Sequence, residues 1–271
     1  MTMLPLSALD LALASLGVLA VAALTWRLRL GLAGGLLLAA LRTVVQLLLV
    51  GLVLRALFAH ATFVWVALLS VAMLLIAGRE VRARQKRRLG GLRGYGIGTI
   101  SMFVSSFVVT ILALVVIIGP DPWFAPRYAI PLLGMVLGNT MTGVAVALDR
   151  LLQGAWDKRS VIEQRLILGE DGASAIWDVA RDSIRSGLIP IMNSMAAAGI
   201  VSLPGMMTGQ ILAGSSPLEA VRYQILIMFL IAGGTGLGTL CAVWLAARRL
   251  FDTRHRLRLD RLELAAGGRV R

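Results

Sequence analysis

The sequence predicts an all-α, polytopic membrane protein with about seven transmembrane helices, its N-terminus outside and its C-terminus cytoplasmic. Three observations carry that expectation. Of the 271 residues, 58% are hydrophobic and only 15% charged, with a mean hydropathy of +0.84. Apolar runs long enough to cross a hydrocarbon layer of about 30 Å recur along the chain. Of the 27 Lys and Arg, all but Arg42, Arg55, Arg127 and Arg222 follow the odd-numbered runs. The positive-inside rule places those segments in the cytoplasm. The formal net charge of +13 therefore reads as topology, and no nucleic-acid partner is expected, because the basic residues do not gather on one soluble face.

The first span runs from about Leu6 to Trp26 and is stopped by Arg27 and Arg29. No Lys or Arg precedes it and no small-residue cleavage site follows it, so it reads as a retained span rather than a signal peptide. The second span, about Leu36 to Phe58, carries Arg42 and Gln46 four residues apart and hence on one helical face. After a short connection at His60 to Thr62 comes a third span, about Phe63 to Gly78. The basic loop Arg79 to Arg93 separates it from a fourth, about Gly96 to Ile118. Gly119-Pro120-Asp121-Pro122-Trp123 is a turn with an interfacial aromatic. The fifth span, about Ala129 to Leu148, contains Gly134, Gly138, Asn139 and Gly143.

Residues 149–187 break the pattern, because charges return at ordinary density within an amphipathic frame. They read as two short surface helices on the cytoplasmic side, a segment suited to docking a soluble partner or else a solvated connector, inside one transmembrane domain that spans 1–271. A sixth span, about Leu188 to Val201, is short for a bilayer. It leads into Leu203-Pro-Gly-Met-Met-Thr-Gly-Gln-Ile-Leu-Ala-Gly214, an uncharged stretch in which Pro204, Gly205 and Gly209 interrupt the apolar pattern. The charge pattern puts this stretch on the outer side, as a hinge or gate together with Pro190. A seventh span, about Tyr223 to Ala247, precedes a basic cytoplasmic tail, 248–271.

Enzymatic chemistry is poorly served by these residues. The histidines are His60 and His255, both at expected membrane edges, and no His, Cys and carboxylate set has metal spacing. Cys241, the single cysteine, lies inside an apolar run and excludes an intramolecular disulfide. Lys86 follows Gln85 and Lys158 follows Asp157, so there is no Gly-Lys pair for a phosphate loop. The chain is expected to bind no cofactor of its own, and any ATP and Mg would act through another subunit.

Polar residues within spans are costly in lipid unless they face protein or water. Arg42, Gln46, Asn139, Asn193 and Gln210 are therefore candidates for a substrate pathway. Snorkelling by Arg42 and helix–helix hydrogen bonds by Gln46 and Asn139 are the alternatives. Met195, Met206 and Met207 offer soft thioethers that could hold a metal in transit, and they serve equally as adaptable core filler.

The stretch 203–214, with Tyr223-Gln224-Ile225 and Met228-Phe229, resembles the signature of the Fet-type (FetB-like) ABC permeases. Leu41-Arg42-Thr43, Gln46-Leu47, Pro131/Gly134-Met135/Gly138-Asn139 and Pro190 with Asn193-Ser194-Met195 extend the match over roughly residues 40 to 230. That family is similar to the permease half of plant aluminium-tolerance transporters. The resemblance implies a homodimeric permease in the cell inner (plasma) membrane that works with two copies of a separate ABC ATPase and exports a metal such as iron. It also implies a cytoplasmic coupling motif. Glu163-Gln-Arg165-Leu166-Ile-Leu-Gly169 keeps the Glu and Gly of the importer-type motif but not its alanines, which makes Glu163, Arg165, Leu166 and Gly169 the coupling candidates. Export of a lipid or organic solute is the alternative cargo class. An ion-coupled secondary transporter would need acidic residues deep in a span, and Asp10 and Asp149 both lie near edges. A membrane scaffold would have no use for the intramembrane polar residues.

Overall fold

The computed structural model describes residues 7–59 and 62–264. His60 and residues 265–271, the end of the expected tail, lie outside the described residues. Ten α-helices follow one another in the described chain: α1 (Ala8–Arg27), α2 (Ala33–Ala59), α3 (Phe63–Ala83), α4 (Gly91–Met102), α5 (Val108–Leu112), α6 (Pro126–Asp157), α7 (Arg159–Ile167), α8 (Gly172–Ala197), α9 (Gly205–Leu212) and α10 (Pro217–Arg249). α4 and α5 belong to one continuous rod, Gly91–Ile118, joined and extended by π-helical turns at Phe103–Phe107 and Ala113–Ile118.

Six helical stretches among the described residues are long and apolar enough to cross a membrane: Leu9–Arg27, Ala33–Ala59, Phe63–Ala83, Gly91–Ile118, Pro126–Asp157 and Pro217–Arg249. The expected sixth span is different. It is the second half of α8, a single helix that starts at Gly172 with Asp171 as N-cap and passes through Pro190 to Ala197. The expected pair of surface helices over 149–187 is likewise replaced. Residues 149–157 are the last turns of α6, only α7 is a separate short helix, and 172–187 already belong to α8. A change from polar to apolar side chains marks where a helix leaves water, whereas its backbone hydrogen bonds continue regardless.

α6, α8 and α10 form the centre. α8 runs antiparallel to α6, since Gly154 meets Val179 and Gly143 meets Gly187. α10 runs parallel to α6, since Gly234 meets Val136 and Gly238 meets Thr140. Two buried clusters lie along this trio. One, at the end where basic residues gather, holds Val81, Leu148, Leu151, Leu152, Ile162, Ile176, Val243 and Leu250. The other, toward the opposite end, holds Val109, Leu114, Ile130, Val136, Ile191, Ile227 and Ile231. Small residues let the backbones approach, as is usual where lipid offers no hydrophobic drive for helix association.

The rod 91–118 buries Ser101-Met102, Ser105-Ser106, Val109-Thr110 and Ala113-Leu114, pairs that recur every four residues. An uninterrupted α-helix of 3.6 residues per turn would rotate a four-residue repeat steadily off its face. The two π turns lengthen the local period and keep all four pairs on the bundle.

The fold is not purely helical. β1 (Arg87–Leu89), in the expected basic loop, pairs antiparallel with β2 (Leu262–Leu264) from the tail, with Arg88 opposite Glu263. The amide of Gly90 donates to the carbonyl of Arg261 at 2.9 Å, and Arg261 Nη1 donates to the carbonyl of Arg249 at 2.6 Å. The described part of the tail is therefore folded back against the loop between α3 and α4.

Candidate functional site

Of the residues expected to form a pathway, Arg42, Gln46, Asn139 and Asn193 are exposed and Gln210 is half-buried. Arg42 and Gln46 are exposed on α2, which is covered by the bundle only near Leu57. Arg42 stands nine residues into that helix, about 14 Å from its start at 1.5 Å per residue. Asn139 is exposed on α6 and donates Nδ2 to the carbonyl of Met135 at 2.8 Å, a local bond that leaves its carbonyl oxygen outward. Asn193 is exposed on α8. Measured from the Gly143–Gly187 contact, Asn139 lies four residues back along α6 and Asn193 six residues on along α8. Because these helices are antiparallel, both amides sit on the same side of that contact, away from the basic end.

The Leu203–Gly214 stretch holds a short helix, α9, over Gly205–Leu212. α8 stops at Ala197 and a tight turn at Ala198–Ser202 reverses the chain. Pro204 then precedes α9, with φ −61° and ψ 140°. Gly205 and Gly209 are ordinary helical residues with open space where a Cβ would stand. Gln210, on α9, is half-buried with its Oε1 enclosed and unpaired. Met206 packs against the buried cluster at this end, Met207 is half-buried on the same helix and Met195 is exposed. Among the described residues no group of three His, Cys, Asp or Glu is arranged to hold a metal. Pro190 lies inside α8, where its missing N–H leaves the carbonyl of Ser186 without its helical donor.

The coupling candidates form a compact element at the basic end. Ile162 is fully buried and Leu166 packs on the same core, so α7 is anchored by one face. Arg165 pairs with Asp178 of α8 at 2.5 Å. That hydrogen bond and its charge hold the Asp178 carboxyl below the usual carboxylate range and push the Arg165 guanidinium up. Gly169 ends the helix at φ +95°, its amide donating to Leu166 while Glu170 donates back to Arg165. This is the left-handed closure that glycine permits and a side chain strains. Glu163 is exposed.

Sequence reasoning missed the most exposed apolar pair of this element. Ile167 and Leu168 are 84% and 83% exposed, side by side at the tip of α7. An amphipathic reading that groups Ile162, Leu166 and Ile167 puts Ile167 on the buried face, but five residues on from the buried Ile162 it stands about 140° round the helix and faces outward. Two adjacent aliphatic side chains are thus left in the open beside a solvated ion pair.

A further set of polar side chains lies in the core. Thr140, Thr235 and Thr239 are buried around the Gly143–Gly187 and Gly238 contacts, with Ser106 and Thr110 on the rod, and none of the five hydroxyls has a partner among the described residues. The signal available in the sequence was the recurrence of Ser and Thr at positions otherwise small and apolar.

The family model described as Uncharacterised protein family (UPF0014) matches residues 8–251. A UPF0014 membrane protein of Synechocystis is 40% identical over 238 residues, covering 88% of this chain and 91% of that one. The Probable iron export permease protein FetB of Escherichia coli is 31% identical over 259 residues, 94% of this chain and 96% of that one. Protein ALUMINUM SENSITIVE 3 of Arabidopsis thaliana is 28% identical over 240 residues, 89% and 86% respectively. No solved structure matches the chain.

Proposed function

From the premise that this chain belongs to the UPF0014 family, we propose that this multi-pass membrane protein is the permease subunit of an ATP-driven ABC transporter that exports a metal, iron in the first place. The observation that carries the reading is the exposure of Arg42, Gln46 and Asn139 within spans of a single chain. A charged side chain at mid-membrane costs about 3 kcal/mol on insertion scales. A second copy covering those faces would remove that cost and enclose a polar path. The assembly is then a homodimer in the plasma (inner) membrane. In it α8 makes the seventh crossing, the N-terminus is outside and the C-terminus cytoplasmic.

α7 supplies the contact for the ATPase. Ile167 and Leu168 would enter a cleft of the partner, with Glu163 beside them, while Arg165–Asp178 and the buried Ile162 pass displacement into α8. ATP and Mg would be held by the partner, and Pro190 and the Pro204–Gly209 region would absorb the change of backbone angles as the path opens outward. The iron cargo rests on the name of the Escherichia coli relative and on soft and amide donors near Asn193, Met195 and Met207. Export of a lipid or organic solute would use the same architecture.

Two measurements test this reading. Co-expression with the neighbouring-gene ABC ATPase should give a stable complex, and its ATPase activity in liposomes should rise with iron(II). Stimulation by lipid or organic solute but by no metal would reassign the cargo. In a Cys241→Ser background, Asn139→Cys should form an oxidative cross-link between two copies. A product that stays at the single-chain mass would reject the shared polar face.

A further inference from the structure

A groove of about 990 Å3 runs between the first half of α8 and the last turns of α10, and the turn after Phe251 closes its end. Its floor is aliphatic and small, with Ile176, Ala180 and Val243. Its walls are Trp177 and Trp244, 58% and 55% exposed. Arg248 stacks over the Trp244 ring at 4.4 Å from its centroid, and it forms none of the ion pairs found among the described residues.

The carboxylates at the rim are already engaged. Asp171 accepts from the amide of Ser174 at 2.7 Å. Asp252 accepts from the amides of Arg254 and Arg256, both at 2.9 Å, and from Arg256 Nε at 2.8 Å. His255 Nδ1 accepts from the amide of Gly172 at 3.2 Å. Asp171 stays an anion, held by the amides that open α8, and the guanidinium in the lining that no carboxylate pairs with is that of Arg248.

Position along α10 narrows the ligand further. Leu240 belongs to the apolar run of the span, and charge resumes only at Arg248 and Arg249. On α8 charge runs as far as Arg185, beside Ile184, so the groove lies where the apolar wall of α10 meets the charged half of α8, the headgroup level at which tryptophan is enriched in membrane proteins. A water-soluble ligand would leave the groove's apolar length unfilled, and an uncharged chain would leave Arg248 without a partner.

We propose that this groove is a binding site for an anionic glycerophospholipid, with an acyl chain along Leu240, Val243 and Ala180 and the phosphate paired with Arg248. Trp244 holds the guanidinium in place by cation–π stacking, and basic pockets between membrane helices have this kind of lipid specificity. The site stands apart from the transport reading and does not depend on it.

The test uses the full chain. Protein purified from a mixture of phosphatidylglycerol and phosphatidylcholine, then released from micelles for native mass spectrometry, should retain about one phosphatidylglycerol per chain. Arg248→Gln should lower that occupancy at least fivefold, whereas Arg248→Lys, which keeps the charge, should keep most of it. Equal retention of the two lipids, or full retention by a folded Arg248→Gln protein, would overturn the proposal. Cys241 lines the groove and is the single cysteine, so a bimane label there reports location. Brominated phosphatidylglycerol should quench it at least twofold more strongly than brominated phosphatidylcholine at the same mole fraction. Equal quenching by the two would refute an anionic site, and quenching by neither would assign the groove to a protein occupant.

Discussion

The backbones of Gly143 on α6 and Gly187 on α8 are in contact: a Cβ on Gly187 would stand 2.7 Å from the Gly143 carbonyl oxygen, and one on Gly143 would stand 3.0 Å from that of Gly187. Thr235 and Thr239 of α10 close the same point. Three central helices therefore meet where no side chain fits. Gly187→Leu should destabilise the protein by about 1–3 kcal/mol, the usual range for overpacking, read as a lower thermal midpoint in detergent. Gly233→Ala, with open space around it, should leave the midpoint unchanged or raised. Equal effects would show that the contact does not limit stability.

The α7 tip gives a prediction that separates docking from folding. Ile167→Asp with Leu168→Asp touches only exposed positions, so the permease should express and fold as before while co-purification of the ATPase falls at least tenfold. Glu163→Ala should uncouple transport with expression intact. Gly169→Trp should do the same, with about 1–2 kcal/mol of added backbone strain from a residue forced to φ +95°. Unaltered co-purification and transport would place docking elsewhere.

Met195 and Met207 separate ligation from packing. Replacing both by Leu preserves volume to within the tolerance of a core. If their thioethers contact the cargo, the metal selectivity of stimulated ATPase activity should change, with iron(II) losing ground to harder divalent ions. An unchanged selectivity profile assigns both residues to packing.

Asp252 sets an acid limit for the folded tail. Amides of Arg256 and Arg254 and the Arg256 side chain lower its carboxyl from 3.8 to about 2. A depressed carboxyl stabilises the fold above its unfolded value and loses that contribution as pH falls toward the folded one. The turn 252–256 should stay protected from amide exchange at neutral pH and open between about pH 4 and pH 2. Asp252→Asn should abolish this acid step, and a step that persists in the variant would point to another group.

How far the sequence could be read depended on what made each feature. Spans set by long apolar runs were legible, as in α1, α2 and α10, where such runs cover most of each helix. The continuity of α8 was not, since Asp178, Arg181, Asp182 and Arg185 mark a change of solvent and Pro190 a lost donor, and neither ends the helix. β1 escaped notice because Arg87 and Arg88 carry the same sign as any positive-inside anchor, and its partner lies more than 170 residues away. The faces bearing Arg42, Gln46 and Asn139 were legible as polar positions in apolar runs; that they point away from this chain's own core required the packing of α6, α8 and α10. Ile167 and Leu168 were hidden because an apolar pair next to Leu166 reads as part of the buried face, whereas the helical phase set by Ile162 turns it outward.

The folded tail has a mechanical consequence. The amide of Lys86 donates to Asp149 at 2.7 Å, and Arg87 stacks on Trp156 at 3.9 Å, so the α3–α4 loop is tied to α6. β2 and Arg261 tie the same loop to α10. The basic ends of four helices are thus tied into one collar. α10 is 33 residues long, about 50 Å at 1.5 Å per residue, so a tilt of about 5° at the collar becomes a displacement of about 4 Å at the far end. The long helices thus act as levers on a short tied end, and a shift smaller than a side chain at the collar is amplified along their length.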